Sequence, residues 1–145
     1  MSNSFNDFNQ ALINDLRANG GRASSGPFKG GDVLILTTTG AKTGAPRENP
    51  LAFSKDDGNY VVVASKGGAP TNPAWYHNLR ANPIVKVEAL GETFDARAHV
   101  IEGEDYERLF QQHAQKMPGF NDYRRKTTRK LPVIVLERAD SEHPG

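Results

Sequence analysis

The sequence predicts a mainly β domain with peripheral helices, built as a closed or half-closed barrel of about six mostly antiparallel strands. Short apolar and β-branched runs recur along the chain, as in VLILTTT (33–39), YVVVAS (60–65) and LPVIVLE (131–137). Tight turns such as DDGN (56–59) separate neighbouring runs by too few residues for a crossover, so neighbours pair antiparallel. Strict alternation of strand and helix is absent, which disfavours a Rossmann sheet, and closing a set of short strands removes exposed edges.

Taken in order, Phe5, Phe8, Leu12, Ile13 and Leu16 fall on one helical stripe that Gly20 and Gly21 terminate, giving an amphipathic N-terminal helix within residues 1–21. Its polar face lacks a lysine and arginine cluster, so it is expected to pack on the domain, with peripheral membrane contact as the alternative. Arg22 to Gly31 is a glycine-rich connector. Strands follow at 33–39, at PLAFS (50–54) after the Gly44 turn, and at 60–65 after DDGN. Pro73 to Ala81 forms a helix that Pro83 closes. VKVEAL (85–90) and TFDARAHVIEG (93–103) make a hairpin around a Gly91 and Glu92 turn. Glu104 to Lys116 is a third helix, with Tyr106, Leu109, Phe110 and His113 on one face and a stop at Pro118 and Gly119; residues 131–137 supply the last buried strand. One domain is expected over 1–145, with 140–145 as a disordered tail.

Composition narrows the function. Eighteen basic and seventeen acidic residues leave a net charge of +1, so there is no global field of the kind that marks nucleic-acid or membrane-surface proteins, and any anion site is local. With no cysteine there is no disulfide framework, thiolate nucleophile or thiolate-bound metal. No apolar run approaches the roughly 20 residues that span a bilayer, and the N-terminus lacks a signal-peptide layout, so a cytoplasmic protein is expected.

Two stretches carry chemistry. ASKGGAPTNPAWYHNLRAN (64–82) runs from a strand pattern through a glycine-rich loop into a short aromatic helix. Gly67 and Gly68 leave backbone amides unshielded, Lys66 adds a positive charge, and Pro73 starts a helix whose free amides favour anions. TTTGAKTGAPR (37–47) is a second tight loop after an apolar strand, carrying Lys42 and Arg47. Together they point to a phosphorylated ligand, because guanidinium forks and backbone amides suit phosphate.

LTTTGAKTGAPRENPL, VVVASKGGAPTNPAWYHNLRANP and PGFNDYRRKTTRKLPVIVLER, in this order between Asn6 and Arg138, closely resemble the deazaflavin-dependent nitroreductase and F420H2-dependent quinone reductase family. These are FMN-binding-like split β-barrel oxidoreductases that use coenzyme F420, a 5-deazaflavin with a phosphate and polyglutamate tail. The resemblance implies that Lys42 and Arg47 hold the phosphate and carboxylate tail. It places Ala64, Ser65, Lys66, Gly67 and Gly68 beside the deazaflavin and its ribityl chain, followed by Ala74, Trp75, Tyr76 and Asn78 on the helix, with Pro50 on the opposite strand. It implies hydride transfer from reduced F420 to a quinone, nitroaromatic or similar electron-poor acceptor, with Tyr123, Phe120 and the Ser65 hydroxyl on the acceptor side and Tyr123 as a proton donor. Where some nitroimidazole-reducing members carry tyrosine, this chain has Ala52, which counts against prodrug nitroreduction. A monomer is favoured over a homodimer.

The residues admit plainer roles. Trp75 and Tyr76 also suit core packing on an amphipathic helix, and Arg124, Arg125, Lys126, Arg129 and Lys130 suit either a solvated basic face or the holding of an anionic coenzyme tail or substrate. His77, His99 and His113 lack a second histidine or acidic partner at ligand spacing, so no metal is expected. No nucleophile has an adjacent base, which fits chemistry carried by a coenzyme. The alternatives are a split-barrel enzyme that binds FMN and a non-catalytic binder of deazaflavin or fatty acid. A nucleic-acid partner ranks far behind, since aromatics do not interleave with the basic run.

Overall fold

Among the described residues, seven antiparallel strands form one sheet whose two edges belong to the same stretch of chain. A computed structural model of the protein describes residues 4–24, 32–65 and 71–139. Its elements are α1 (Ser4–Ala18), β1 (Val33–Thr39), β2 (Pro46–Ala52), β3 (Ser54–Asp56), β4 (Asn59–Val63), α2 (Ala74–Ala81), β5 (Ile84–Ala89), β6 (Glu92–Val100), α3 (Glu104–Lys116), α4 (Gly119–Arg125) and β7 (Val133–Arg138). Strand order is β2-β1-β5-β6-β7-β4-β3, so the edge strands β2 and β3 are separated in sequence only by Phe53. The sheet therefore curls until its edges meet, and the mainly β, barrel-like class expected from the sequence is the one observed.

The expected strand at 50–54 is half of this seam. The chain pairs with β1 from Pro46 to Ala52, bends at Phe53, and pairs with β4 from Ser54 to Asp56. Pairing to two different neighbours forces the bend, which a run of apolar letters does not record. Phe53 points into the barrel, where it meets Tyr60 edge-on at 5.0 Å between ring centres, and Tyr60 stacks on Phe94 at 5.7 Å. Outside, α3 secures the short β3: Ser54 Oγ shares a 2.9 Å hydrogen bond with His113 Nδ1, Gln112 Nε2 donates to Lys55 O at 2.6 Å, and Arg108 pairs with Asp56 at 3.0 Å.

Alternation along the strands divides the apolar residues into three clusters. Leu34, Leu36, Val62, Val85, Val87, Phe94, Ile134 and Leu136 fill the barrel, with Trp75, Tyr76 and Leu79 of α2 packed against them. Val33 and Ile35, on the other face of β1, meet Leu12, Ile13 and Leu16 of α1. Val61, Val63 and Val133 meet Leu109, Phe110 and Ala114 of α3. The N-terminal helix thus packs on the domain as expected, although Phe8, placed on the apolar stripe, is 43% exposed.

Two further departures have local causes. The β5–β6 turn is centred on Leu90 and Gly91, one residue before the expected Gly91 and Glu92, with φ of 52° and 85°. Left-handed backbone costs a leucine about 1–2 kcal/mol, and here Leu90 packs partly on the barrel interior while Gly21 closes on its backbone. A Cβ at Gly21 would lie 2.6 Å from Leu90 N, so only glycine fits. Pro118 and Gly119 end α3 but also start α4, since the fixed φ of proline is already helical. The expectations for Phe5, the connector through Gly31, Lys66, Gly67, Gly68 and the tail at 140–145 lie outside the described residues or side chains.

Candidate functional site

The turn from Gly40 to Ala45 joins β1 to β2 and carries Lys42 at its exposed tip. Gly40 N–H donates to Ala45 O and Gly44 N–H to Gly40 O, both at 2.8 Å, which closes the turn on itself. Gly44 takes φ of 74°, a conformation glycine adopts without penalty. Asn78 of α2, only 8% exposed, fixes this turn to the helix. Its Oδ1 accepts from Ala41 N–H at 3.0 Å and its Nδ2 donates to buried Thr38 Oγ1 at 3.1 Å. The amide lies 37 positions from Ala41 in the chain, and it sets where Lys42 stands relative to α2.

Arg47 lies directly across from Thr38 in the β1–β2 register and so shares its face, the one Asn78 covers. Its neighbour Glu48 faces the other way and is held by Arg17, whose Nη2 reaches Glu48 Oε2 at 2.6 Å and Glu88 Oε2 at 2.7 Å. The Arg17 hydrogen bond holds the Glu88 carboxyl below its usual range. Glu48 is thus paired on the opposite face, whereas among the described residues neither Lys42 nor Arg47 has an ion-pair partner. Pro50 pairs with Ile35 on the α1 side of the sheet, so toward the Arg47 face it offers backbone only.

Ala64 and Ser65 form the second half of the site. Ala64 N–H donates to Pro132 O and Ser65 N–H to Val63 O, each at 2.9 Å, which turns the chain sharply out of β4. Arg129 grips their carbonyls: Nη1 donates to Ala64 O at 3.1 Å and Nη2 to Ser65 O at 2.6 Å. The same Nη1 donates to Asn72 Oδ1 at 2.6 Å, just before Pro73 and α2. Burial holds the Arg129 guanidinium below its ordinary pKa.

On α2, Ala74 is exposed, while Trp75 and Tyr76 are buried in the barrel cluster. Their rings anchor the helix, and Arg80 lies 5.8 Å over the Tyr76 ring. Tyr123 is half-buried on α4 in the cluster outside the barrel wall, against Phe120 at 5.2 Å, and Phe120 in turn meets His113 edge-on at 4.4 Å. The structure thus gathers Lys42, Arg47 and Asn78 around one turn and Ala64 and Ser65 around Arg129, with α2 joining the two groups. Tyr123 belongs to a different packing layer from Trp75 and Ala64. Sequence reasoning did not single out Thr38, Asn72 or Arg129; Arg129 stood within a basic run, and no local pattern ties Asn78 to a turn 37 positions away. Among the described residues no cluster of His, Asp or Glu is arranged to hold a metal, and no helix is long and apolar enough to cross a membrane.

Comparison with known proteins bears on this site. The family model for F420H(2)-dependent quinone reductase matches residues 11–138. An F420H(2)-dependent quinone reductase of Mycobacterium tuberculosis is 42% identical over 108 residues, covering 72% of each chain. The structure of an F420H2-dependent reductase is 40% identical with a TM-score of 0.67, covering 72% of this chain and 93% of that one. A structure described as a domain-swapped dimer is 33% identical with a TM-score of 0.71, covering 91% and 98%.

Proposed function

The chain belongs to the F420H(2)-dependent quinone reductase family, and from that premise we propose that it is an oxidoreductase that reduces a quinone, with other planar electron-poor acceptors such as nitroaromatics as secondary substrates. Its cofactor is reduced coenzyme F420, and membership of the family leaves no need for FMN. When bound, the reduced coenzyme supplies a hydride to the acceptor.

One observation carries the assignment of the site: Lys42 and Arg47, two cations with no carboxylate partner among the described residues, stand on and beside a turn that Asn78 ties to α2. This fits an anionic tail, because a fixed backbone limits the entropy lost on binding and the guanidinium can meet phosphate or carboxylate with two parallel bonds. In this reading Lys42 and Arg47 bind the tail, Asn78 orients the turn, and Pro50 contributes backbone. Ala64, Ser65, Lys66, Gly67 and Gly68 border the planar ring, and Ala74 lines the way into α2. Trp75 and Tyr76 position that helix through the core. Tyr123 and the Ser65 hydroxyl serve the acceptor, with the Tyr123 phenol donating a proton to the reduced acceptor oxygen. In this proposal the chain is one domain and acts as a monomer. A cytoplasmic location is part of it, in keeping with a chain that has no cysteine.

The test is replacement of Lys42 or Arg47 by alanine. Each variant is expected to raise the Kd for oxidised F420 by about tenfold, the scale of one charge-assisted hydrogen bond. The increase should be greatest at low salt, while kcat at saturating coenzyme stays close to wild type. Unchanged affinity in both variants would remove the turn from the coenzyme site.

A further inference from the structure

We propose that Arg129 is a positioning residue for the coenzyme site, a single guanidinium that fixes Ala64 and Ser65 at the end of β4 and Asn72 before the start of α2. The inference rests on the reading above that Ala64 and Ser65 border the coenzyme. Arg129 donates to Ala64 O at 3.1 Å, Ser65 O at 2.6 Å and Asn72 Oδ1 at 2.6 Å. Ser65 follows the last residue of β4 by two positions, and Asn72 immediately precedes Pro73, the N-cap of α2. The end of β4 and the approach to α2 are thereby held by one rigid plane.

The clasp has a second side. Pro132, three positions beyond Arg129, accepts the Ala64 N–H at 2.9 Å, so residues 129–132 hold the end of β4 through both its donor and its acceptor groups. Arg129 is itself tied to β7, which starts at Val133 and pairs with β4 from Val133 to Ile134 and onward. The end of β4 is thus referenced to the barrel wall rather than to a neighbouring loop. The planar fork meets the three oxygens from two nitrogens; a lysine offers its donors from a single point and a glutamine offers one amide. Bonds from a charged donor to neutral carbonyls are stronger than neutral ones, and partial burial strengthens them further.

The experiment compares wild type, Arg129→Gln, Arg129→Lys, Asn72→Ala and the Arg129→Gln/Asn72→Ala double variant. Circular dichroism and thermal midpoint report folding, titration with oxidised F420 gives Kd, and turnover of a benzoquinone at saturating reduced F420 gives kcat. The clasp predicts folded variants, a Kd raised about tenfold in Arg129→Gln, and a smaller rise in Asn72→Ala. It also predicts a double variant no worse than Arg129→Gln alone, since both act on one clasp, and a kcat at saturation that falls by a smaller factor than Kd rises. Wild-type affinity in Arg129→Gln, full additivity of the two substitutions, or complete rescue by lysine would each overturn it. Should Arg129→Gln fail to fold, Asn72→Ala decides, and an unchanged Kd there overturns the proposal. Wild-type protein that binds F420 alongside equally competent variants removes the clasp alone, whereas wild-type protein that does not bind F420 removes the site reading and the clasp with it.

Discussion

Replacing Asn78 by alanine tests how the cationic turn is held. The side chain makes two bonds, accepting from Ala41 N–H at 3.0 Å and donating to Thr38 Oγ1 at 3.1 Å. Thr38 is 1% exposed, so water does not replace its lost partner, whereas the Ala41 amide is on the surface and water does. One hydrogen bond contributes about 1 kcal/mol and a buried hydroxyl left unsatisfied costs about 1–3 kcal/mol, so the variant should lose about 2–4 kcal/mol of stability. Most of that loss belongs to the Thr38 side. The functional effect should come from the Ala41 side, because freeing the turn lets Lys42 wander from the coenzyme tail. Thr38→Val separates the two: it removes the buried hydroxyl, costs about 1–3 kcal/mol, and leaves the Ala41 bond intact. Urea unfolding gives the stabilities, and titration with oxidised F420 gives the affinities. Asn78→Ala is expected to weaken F420 binding several-fold, with Thr38→Val binding nearly as wild type. Equal affinity in Asn78→Ala and wild type, or equal loss in both variants, would refute the reasoning.

Three more outcomes follow from the same geometry. Tyr123→Phe should retain F420 affinity and lose quinone turnover; unchanged turnover would take the phenol out of the reaction. His113 is fully buried, and burial together with the Lys116 charge pushes its pKa down from 6.5 to about 4. The unfolded chain therefore binds more protons than the fold between these values, so stability is complete above pH 6.5 and declines as pH falls toward 4, by about 3 kcal/mol in all. Urea unfolding across that window checks the slope, which His113→Gln should flatten. Phe53→Ala removes the ring that fills the seam between β2 and β3 and should cost about 3–5 kcal/mol, a loss measurable by the same unfolding; a cost under about 1 kcal/mol would mean that the seam is not closed by this side chain.

What the sequence disclosed and what it concealed divide along the range of the interactions. The hairpin at DDGN was legible because Asp57 and Gly58 take left-handed backbone, φ of 53° and 83°, which those residue types favour. The helix at 73–81 was legible from Pro73 and Pro83, and α3 from its apolar face. The bend at Phe53 was not, since a strand that changes partners keeps its apolar alternation. The short α4 was hidden by Pro118 and Gly119, which signal a stop as readily as a new start, and by a helix too brief to show a period. At the site, Lys42 and Arg47 stood out because charge in a glycine-rich turn is a local pattern. Asn78 was noticed on its helix, but its partners Thr38 and Ala41 lie about 40 positions away, a distance that no window of sequence reads. The basic run concealed different roles under one composition: Arg124 is bound to Glu107 at 2.9 Å and Arg125 to Asp122, while Arg129 is turned inward onto backbone carbonyls.

The central claim is that this chain binds a deazaflavin coenzyme through a fixed cationic turn. Titration of the purified protein with oxidised F420 and, separately, with FMN tests it most directly, followed by absorbance of the ligand and repeated at two salt concentrations. Binding of F420 in preference to FMN, with a Kd that rises with salt as the charges of Lys42 and Arg47 are screened, is the predicted result. Binding of FMN alone, or of neither ligand, would contradict the account.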